Sequence, residues 1–256
     1  MSRRDDLARR TVVGLGLAAA AILILWFGGV TLWALLTVGA GFALFEWAGL
    51  VHAHRARLLI AVMILVVGMA YALPVMWGAD RATLALLLIS ALVLALFPKF
   101  ARISVGLGYI GTAAIAILFL REQPNGFALA LWTLAVVWAT DIGGYFAGHR
   151  FGGPKLAPKI SPSKTWAGLI GGMALAAITG AAIASAAGLP ANAIGLGAPL
   201  AVVAQAGDLF ESWLKRRAGV KDSGALLPGH GGLLDRIDGL LPVAILVGAL
   251  VANGSF

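Results

Sequence analysis

Cysteine is absent from the 256-residue sequence, and charge of either sign is scarce. Without thiols the chain can form neither a disulfide nor a thiolate metal site, and its redox compartment leaves no trace. Charged residues make up 12% of the chain, against about 25% in a soluble domain, which excludes an ordinary water-soluble fold. Acids are the scarcer sign, 11 Asp and Glu against 19 Lys and Arg, so each acid in an apolar setting has to be accounted for. There is no low-complexity tract and no convincing internal repeat, which argues against a repeat architecture.

What fills the chain is apolar. Hydrophobic residues reach 61% and the mean hydropathy is +0.95, the composition of a polytopic integral membrane protein. A formal net charge of +8 would also suit a nucleic-acid binder. In a membrane protein it is accounted for by cytoplasmic loops, which collect Lys and Arg, so no nucleic-acid partner is expected.

The apolar runs predict an all-α fold with about nine transmembrane helices, given that a bilayer core of about 30 Å takes about 20 residues per helix. The runs cover 11–26, 30–50, 58–77, 84–97, 103–120, 127–147, 166–187, 194–214 and 237–252. The basic start, with Arg3, Arg4, Arg9 and Arg10, has the look of a signal peptide, but the run passes into a second one without a polar cleavage region, which predicts a retained first span. An N-terminus in the cytoplasm places 17 of the 19 basic residues on one side, leaving only Arg81 and Arg121 on the other. The expected arrangement is therefore N-terminus inside and C-terminus outside, in the cell (inner) membrane, with the polar motifs at the cytoplasmic face. Residues 1–125 read as a transmembrane scaffold and 126–256 as the region carrying chemistry. Paired glycines such as Gly143-Gly144 and Gly171-Gly172 predict close helix packing. The isolated acid Glu46, beside Trp47, reads as interfacial or as lining a site, and Glu211 as solvated or paired at the membrane surface.

Two polar segments stand out. The first runs from Asp141 through Tyr145 and Gly148-His149-Arg150 to Ser161-Pro162-Ser163-Lys164-Thr165. Asp141 and Tyr145 share a helix face, and Ser161, Ser163, Lys164 and Thr165 lie at the start of the next run. There they serve either as helix caps or as an anion site. The second runs from Gly207-Asp208 to Asp238. Asp208, Ser212 and Lys215 are spaced to share one face of a helix end, and Asp235 and Asp238 share one if that turn is helical. Carboxylates suit a hard divalent cation, Lys and Arg suit phosphate oxygens, and the glycine-rich Gly229-His230-Gly231-Gly232 lets backbone amides approach an anion. Asp208 has two readings: a metal or substrate ligand, or a structural ion pair with Lys215 or Arg236. Asp222 has three: ligand, substrate contact, or partner of Lys221.

The stretch Ser212-x-Leu214-Lys215-Arg216-x4-Lys221-Asp222-x-Gly224-x2-Leu227-Pro228-x-His230-Gly231-Gly232-Leu233-x-Asp235-Arg236-Ile237-Asp238 resembles the signature of the phosphatidate cytidylyltransferases, or CDP-diacylglycerol synthases. The Asp141–Thr165 segment is similar to a second motif of that family, and together the two span Asp141 to Asp238. The resemblance implies transfer of CMP from CTP to phosphatidic acid, giving CDP-diacylglycerol and pyrophosphate. It implies a divalent cation, Mg²⁺ foremost, on Asp208 and Asp235, with Asp238 a further acid of the metal set. Lys221 and Arg236 complete the catalytic group. Asp141, Tyr145, Ser161, Ser163, Lys164, Thr165, Ser212, Lys215, Arg216, Asp222, His230, Gly231 and Gly232 are the expected substrate contacts, and a homodimer is the expected assembly. The chain departs from the pattern at Ala167, where the family usually has Glu, and at Gly239, where it often has Ser. Two alternatives remain. Asp235-x-x-Asp238-Gly239 imitates a CDP-alcohol phosphotransferase motif, without the second acid pair downstream. Asp141, Asp208 and Asp235 would also suit a cation pathway in a transporter.

Overall fold

A computed structural model describes residues 16, 18–76, 78–224, 226 and 231–256 of the chain. The fold is mostly helical. In chain order the helices are α1 (Ala18–Phe27), α2 (Gly29–Leu50), α3 (Arg55–Tyr71), α4 (Arg81–Ala95), α5 (Ala101–Glu122) and α6 (Gly126–Phe151). A hairpin of β1 (Lys155–Ala157) and β2 (Ser161–Thr165) follows, then α7 (Trp166–Ala186), α8 (Ala191–Arg217), the single turn α9 (Leu234–Ile237) and α10 (Leu240–Ala252). Five of these, α2, α5, α6, α7 and α8, are long and apolar enough to cross a membrane. Their outer surfaces carry exposed Phe45, Ile170 and Ile178, an apolar coat that water would penalise and lipid accommodates. The molecule is an integral membrane protein.

α5 is the hub. Its apolar stretch is 72% buried, and it packs against α2, α3, α4, α6 and α10. Around it lies one core that includes Leu44, Leu65, Leu87, Ile103 and Leu107. A second core, with Trp132, Val136, Ala176, Leu200 and Val247, joins α6, α7, α8 and α10. The α6–α7 contact is the most extensive, and it is close, as the paired glycines predict. A Cβ at Gly143 would lie 2.5 Å from the Gly171 carbonyl oxygen, so the backbones touch where a side chain would hold them apart.

The hairpin is an addition to the expected all-α fold. Gly152 and Gly153 take positive φ, 61° and 90°, and end α6. Pro154, Pro158 and Pro162 then keep the segment out of helix. The strands pair antiparallel, Lys155 with Thr165 and Ala157 with Ser161. Of the residues expected to cap α7, only Thr165 does so, its Oγ1 accepting from the Gly168 N–H at 3.0 Å. Ser161 and Ser163 lie on β2, their hydroxyls 3.4 Å apart.

Five of the basic residues mark helix ends. Arg57 donates to the Lys99 carbonyl at 3.0 Å, and the Trp47 indole to the Arg102 carbonyl at 3.0 Å. At the opposite end Arg121 donates to the Leu25 and Trp26 carbonyls at 2.7 and 3.0 Å, while Arg81 reaches the Ala252 carbonyl.

Candidate active site

The two polar segments meet where α6, β2, α8 and α9 come together. α8 carries Asp208, Glu211, Ser212 and Lys215 along one side of its last turns, as the spacing predicts. Gly207 permits the approach of the next element. A Cβ there would clash with the Asp238 carbonyl oxygen and lie 2.7 Å from Cγ of Pro242.

Two lysines organise the acids. Lys164, on β2, forms an ion pair with Asp208 and lies 3.5 Å from the Gln205 amide oxygen. Ser212 donates to the other Asp208 oxygen at 3.3 Å. Lys215 bridges Glu211 Oε2 at 2.9 Å and Asp235 Oδ1 at 2.5 Å. The second Asp235 oxygen, Oδ2, accepts from the Ser223 N–H and hydroxyl, both at 2.9 Å, and from the Gly232 N–H at 2.8 Å. Burial pushes the Asp235 carboxyl up. The Lys215 ammonium and the Ser223 and Gly232 amides outweigh it, and hold the group below the ordinary carboxylate value.

Asp208 thus pairs with Lys164, a partner that neither sequence reading of it named. Asp141 on α6 lies close enough for the charges of Lys164, Asp208 and Arg236 to act on it. Asp238 closes α9, accepts from the Gly239 N–H at 2.7 Å, and approaches Asp208 and Glu211. Of the two readings for Glu211, solvated or paired, the structure shows the second: it is 3% exposed, bonded to Lys215 through Oε2 and in contact with Asp238. The helix end that the hydropathy places at the surface is covered by α9 and the preceding loop.

Other expected contacts lie farther out. Tyr145 is exposed and packs against His149, with ring centroids 4.2 Å apart and the planes tilted by 41°. Arg216 donates to the Ile160 and Val220 carbonyls at 3.4 and 3.2 Å, tying the hairpin turn to the end of α8. Lys221 and Asp222 are exposed. Gly231 has φ +79°, and a Cβ there would lie 3.1 Å from Asp235 Oδ2 and 3.7 Å from Asp222 Oδ1. His230 lies outside the described residues.

Among the described residues no three acids or histidines converge as a ready metal cluster. The chemistry of the donors nevertheless fits a hard divalent cation. Asp208, Glu211 and Asp238 are carboxylates, the oxygen ligands such a cation takes, and Glu211 and Asp238 lie within hydrogen-bond reach of each other.

Glu46, for which the sequence left an interfacial and a site-lining reading open, sits against the loop that holds Asp235. It is 5% exposed on α2. It accepts from Ser223 Oγ at 2.9 Å, Leu233 N at 2.9 Å and Leu234 N at 2.8 Å. The available signal was an acid inside a 22-residue apolar helix, a position that membrane energetics leave vacant without a specific use.

A helical membrane protein with lysine-bridged acids at one end of its bundle, beside phosphate-suited loops, matches known proteins along nearly its whole length. A sequence model of the Cytidylyltransferase family matches residues 8–253. The phosphatidate cytidylyltransferase of Brucella suis biovar 1 (strain 1330) is 39% identical over 97% of this chain and 96% of its own length. That of Pseudomonas aeruginosa is 40% identical over 60% of this chain and 58% of its own. That of Bacillus subtilis (strain 168) is 40% identical over 57% and 55%. The chain belongs to the cytidylyltransferase family. This membership does not favour the CDP-alcohol phosphotransferase or transporter readings.

Proposed function

We propose that the protein is a phosphatidate cytidylyltransferase, transferring CMP from CTP to phosphatidic acid with release of pyrophosphate. The observation that carries this reading is the site itself. Lys164, Lys215 and Arg236 interleave with Asp141, Asp208, Asp235 and Asp238 at one end of a membrane bundle, in a chain similar throughout its length to proteins of that name. In the reaction an oxygen of the lipid phosphate attacks the α-phosphorus of CTP, and the bond from that phosphorus to the bridging β-phosphate oxygen breaks. No protein nucleophile is required, since phosphoryl chemistry rests on positioning and charge stabilisation.

Lys164 and Lys215 hold phosphate oxygens when substrate is present, as do Lys221 and Arg236. Asp208, Asp235 and Asp238 are the residues that would hold a divalent cation, Mg²⁺ foremost, with the Glu211 carboxylate against Asp238. Bound there, the cation neutralises charge on the phosphate oxygens and the departing pyrophosphate. Asp141, Ser212 and the hairpin edge bearing Ser161, Ser163 and Thr165 line the approach.

The fold crosses the membrane nine times, with the N-terminus in the cytoplasm and the site at the cytoplasmic face of the cell membrane. The clustering of Arg57, Lys99 and Arg102 at one helix end, opposite Arg81 and Arg121, supports this. Residues 126–256 carry the chemistry on a scaffold of residues 1–125, and the working assembly is a homodimer. The test is to incubate purified protein with CTP labelled at the α-phosphate and phosphatidic acid in mixed micelles. Label appears in the lipid phase only when both are present, with pyrophosphate released in equal amount. Absence of lipid label from CTP, with consumption of CDP-diacylglycerol in the presence of an alcohol, refutes the assignment.

A further inference from the structure

We propose that Glu46, on a helix outside the two motif segments, is a positioning residue that fixes Asp235 by clamping both legs of its loop. The proposal rests on the cytidylyltransferase reading, and on Asp235 belonging to the site.

The loop leaves α8 and returns into α9, and Glu46 touches it on both sides. From the outgoing leg the carboxylate accepts the Ser223 hydroxyl, and from the returning leg the Leu233 and Leu234 amides, all at 2.8–2.9 Å. Those partners are 177 to 188 residues away in sequence. The loop is shaped to admit the carboxylate. A Cβ at Gly224 would lie 2.7 Å from Glu46 Oε1, and one at Gly232 would lie 2.5 Å from Oε2. Glu46 itself is 5% exposed, and a buried carboxylate persists only where donors surround it.

The same loop atoms hold Asp235. Ser223 presents its N–H to Asp235 Oδ2 at 2.9 Å and Gly232 does so at 2.8 Å, while the Ser223 hydroxyl stands 2.9 Å from both Asp235 Oδ2 and Glu46 Oε2. A hydroxyl carries one proton and can serve one carboxylate at a time. Glu46 and Asp235 therefore grip a common stretch of backbone from opposite sides. If Glu46 lets go, Ser223 and Gly232 lose the anchor that places their donors. Asp235 then depends on Lys215 alone. The N-terminal helices thereby contribute to the geometry of the reaction as well as to its support.

The experiment compares Glu46→Gln with wild type and with Leu44→Ala, which loosens the same helix from a fully buried core position. A glutamine keeps the shape but sets an amide donor against backbone N–H donors. Turnover per folded molecule is expected to fall about 100-fold, the scale of a small misplacement of a catalytic group. The Mg²⁺ concentration giving half-maximal turnover rises at least about tenfold, and Leu233 and Leu234 amides exchange with solvent faster. Leu44→Ala lowers the thermal midpoint while keeping turnover per folded molecule, Mg²⁺ dependence and loop exchange. Gly224→Ala, which leaves Glu46 intact but drives a methyl group against it, reproduces the Glu46→Gln pattern and serves if Glu46→Gln fails to fold. Unchanged Mg²⁺ dependence and near-normal turnover per folded molecule overturn the proposal, as does unchanged exchange at Leu233 and Leu234. If wild type makes no CDP-diacylglycerol, the functional reading fails separately, and the exchange data still decide whether Glu46 holds the loop.

Discussion

Replacing Lys215 by Met removes the one ammonium that joins α8 to α9. The Lys215 side chain is 11% exposed, and its partners Glu211 and Asp235 are 4% and 10% exposed, so the pair is buried and solvent screens it little. The two partners are left in different positions. Asp235 retains the Ser223 N–H, the Ser223 hydroxyl and the Gly232 N–H. Glu211 loses its partner at 2.9 Å and is left against Asp238, another acid. Breaking a buried pair by removing one member costs about 3–5 kcal/mol, because the surviving charge is uncompensated. At about 2–4 °C per kcal/mol for a chain of this size, the melting midpoint in detergent drops by roughly 6–20 °C. Adding Glu211→Gln removes the stranded charge, so the double variant melts above Lys215→Met, with a coupling of about 1–3 kcal/mol in the cycle. A midpoint within about 2 °C of wild type for Lys215→Met, or a double variant less stable than the single, would refute the argument that this lysine neutralises buried acids.

Three further outcomes follow from other parts of the fold. Asp80 caps α4, accepting from the Thr83 N–H at 2.7 Å and hydroxyl at 2.8 Å, and these bonds hold its carboxyl below the ordinary value of 3.8. Its contribution is present above the unfolded pKa and fades as pH falls through the folded one. Asp80→Ala therefore costs about 1 kcal/mol at pH 7, and the difference in melting midpoint closes in acid below pH about 4. Gly207→Ala forces a methyl group against the Asp238 carbonyl and Pro242, so activity and thermal stability both fall, whereas Gly195→Ala on the same helix, with open space around it, leaves both unchanged. In this cysteine-free chain, a cysteine at Ser163 is labelled by an impermeant reagent only from the cytoplasmic side and one at Ser255 only from outside; the reverse pattern in intact cells overturns the proposed topology.

The helices were legible because an apolar run of membrane length has few alternatives. Each run expected to span contains a helix among the described residues, although α1, α3, α4 and α10 are short. The β1–β2 hairpin was not legible, since eleven polar and proline-broken residues from Lys155 to Thr165 carry no period of their own and depend on Arg216 holding the Ile160 turn. For the site, the motif residues Asp141, Lys164, Asp208, Lys215 and Asp235 were visible as residues, and spacing placed three α8 side chains on one face. Their pairing was not visible. Which lysine meets which acid depends on how β2 and α9 fold over α8, and these long-range contacts leave no local pattern. Glu46 was open to a site-lining reading, but its partners, 177 to 188 residues along the chain, were not legible.

The central claim is that Asp208 and Asp235 carry a divalent cation for CTP-dependent transfer to phosphatidic acid. The most direct measurement is CDP-diacylglycerol formation against Mg²⁺ concentration for wild type, Asp208→Asn and Asp235→Asn, normalised to folded protein. Asparagine keeps the size and some of the hydrogen bonding while removing the charge that Lys164 and Lys215 now balance. The account predicts that turnover collapses in both variants and that added Mg²⁺ restores little of it, while both proteins still insert and purify. Near-normal turnover with wild-type Mg²⁺ dependence in either variant contradicts it, and reduces that residue to a partner in an ion pair.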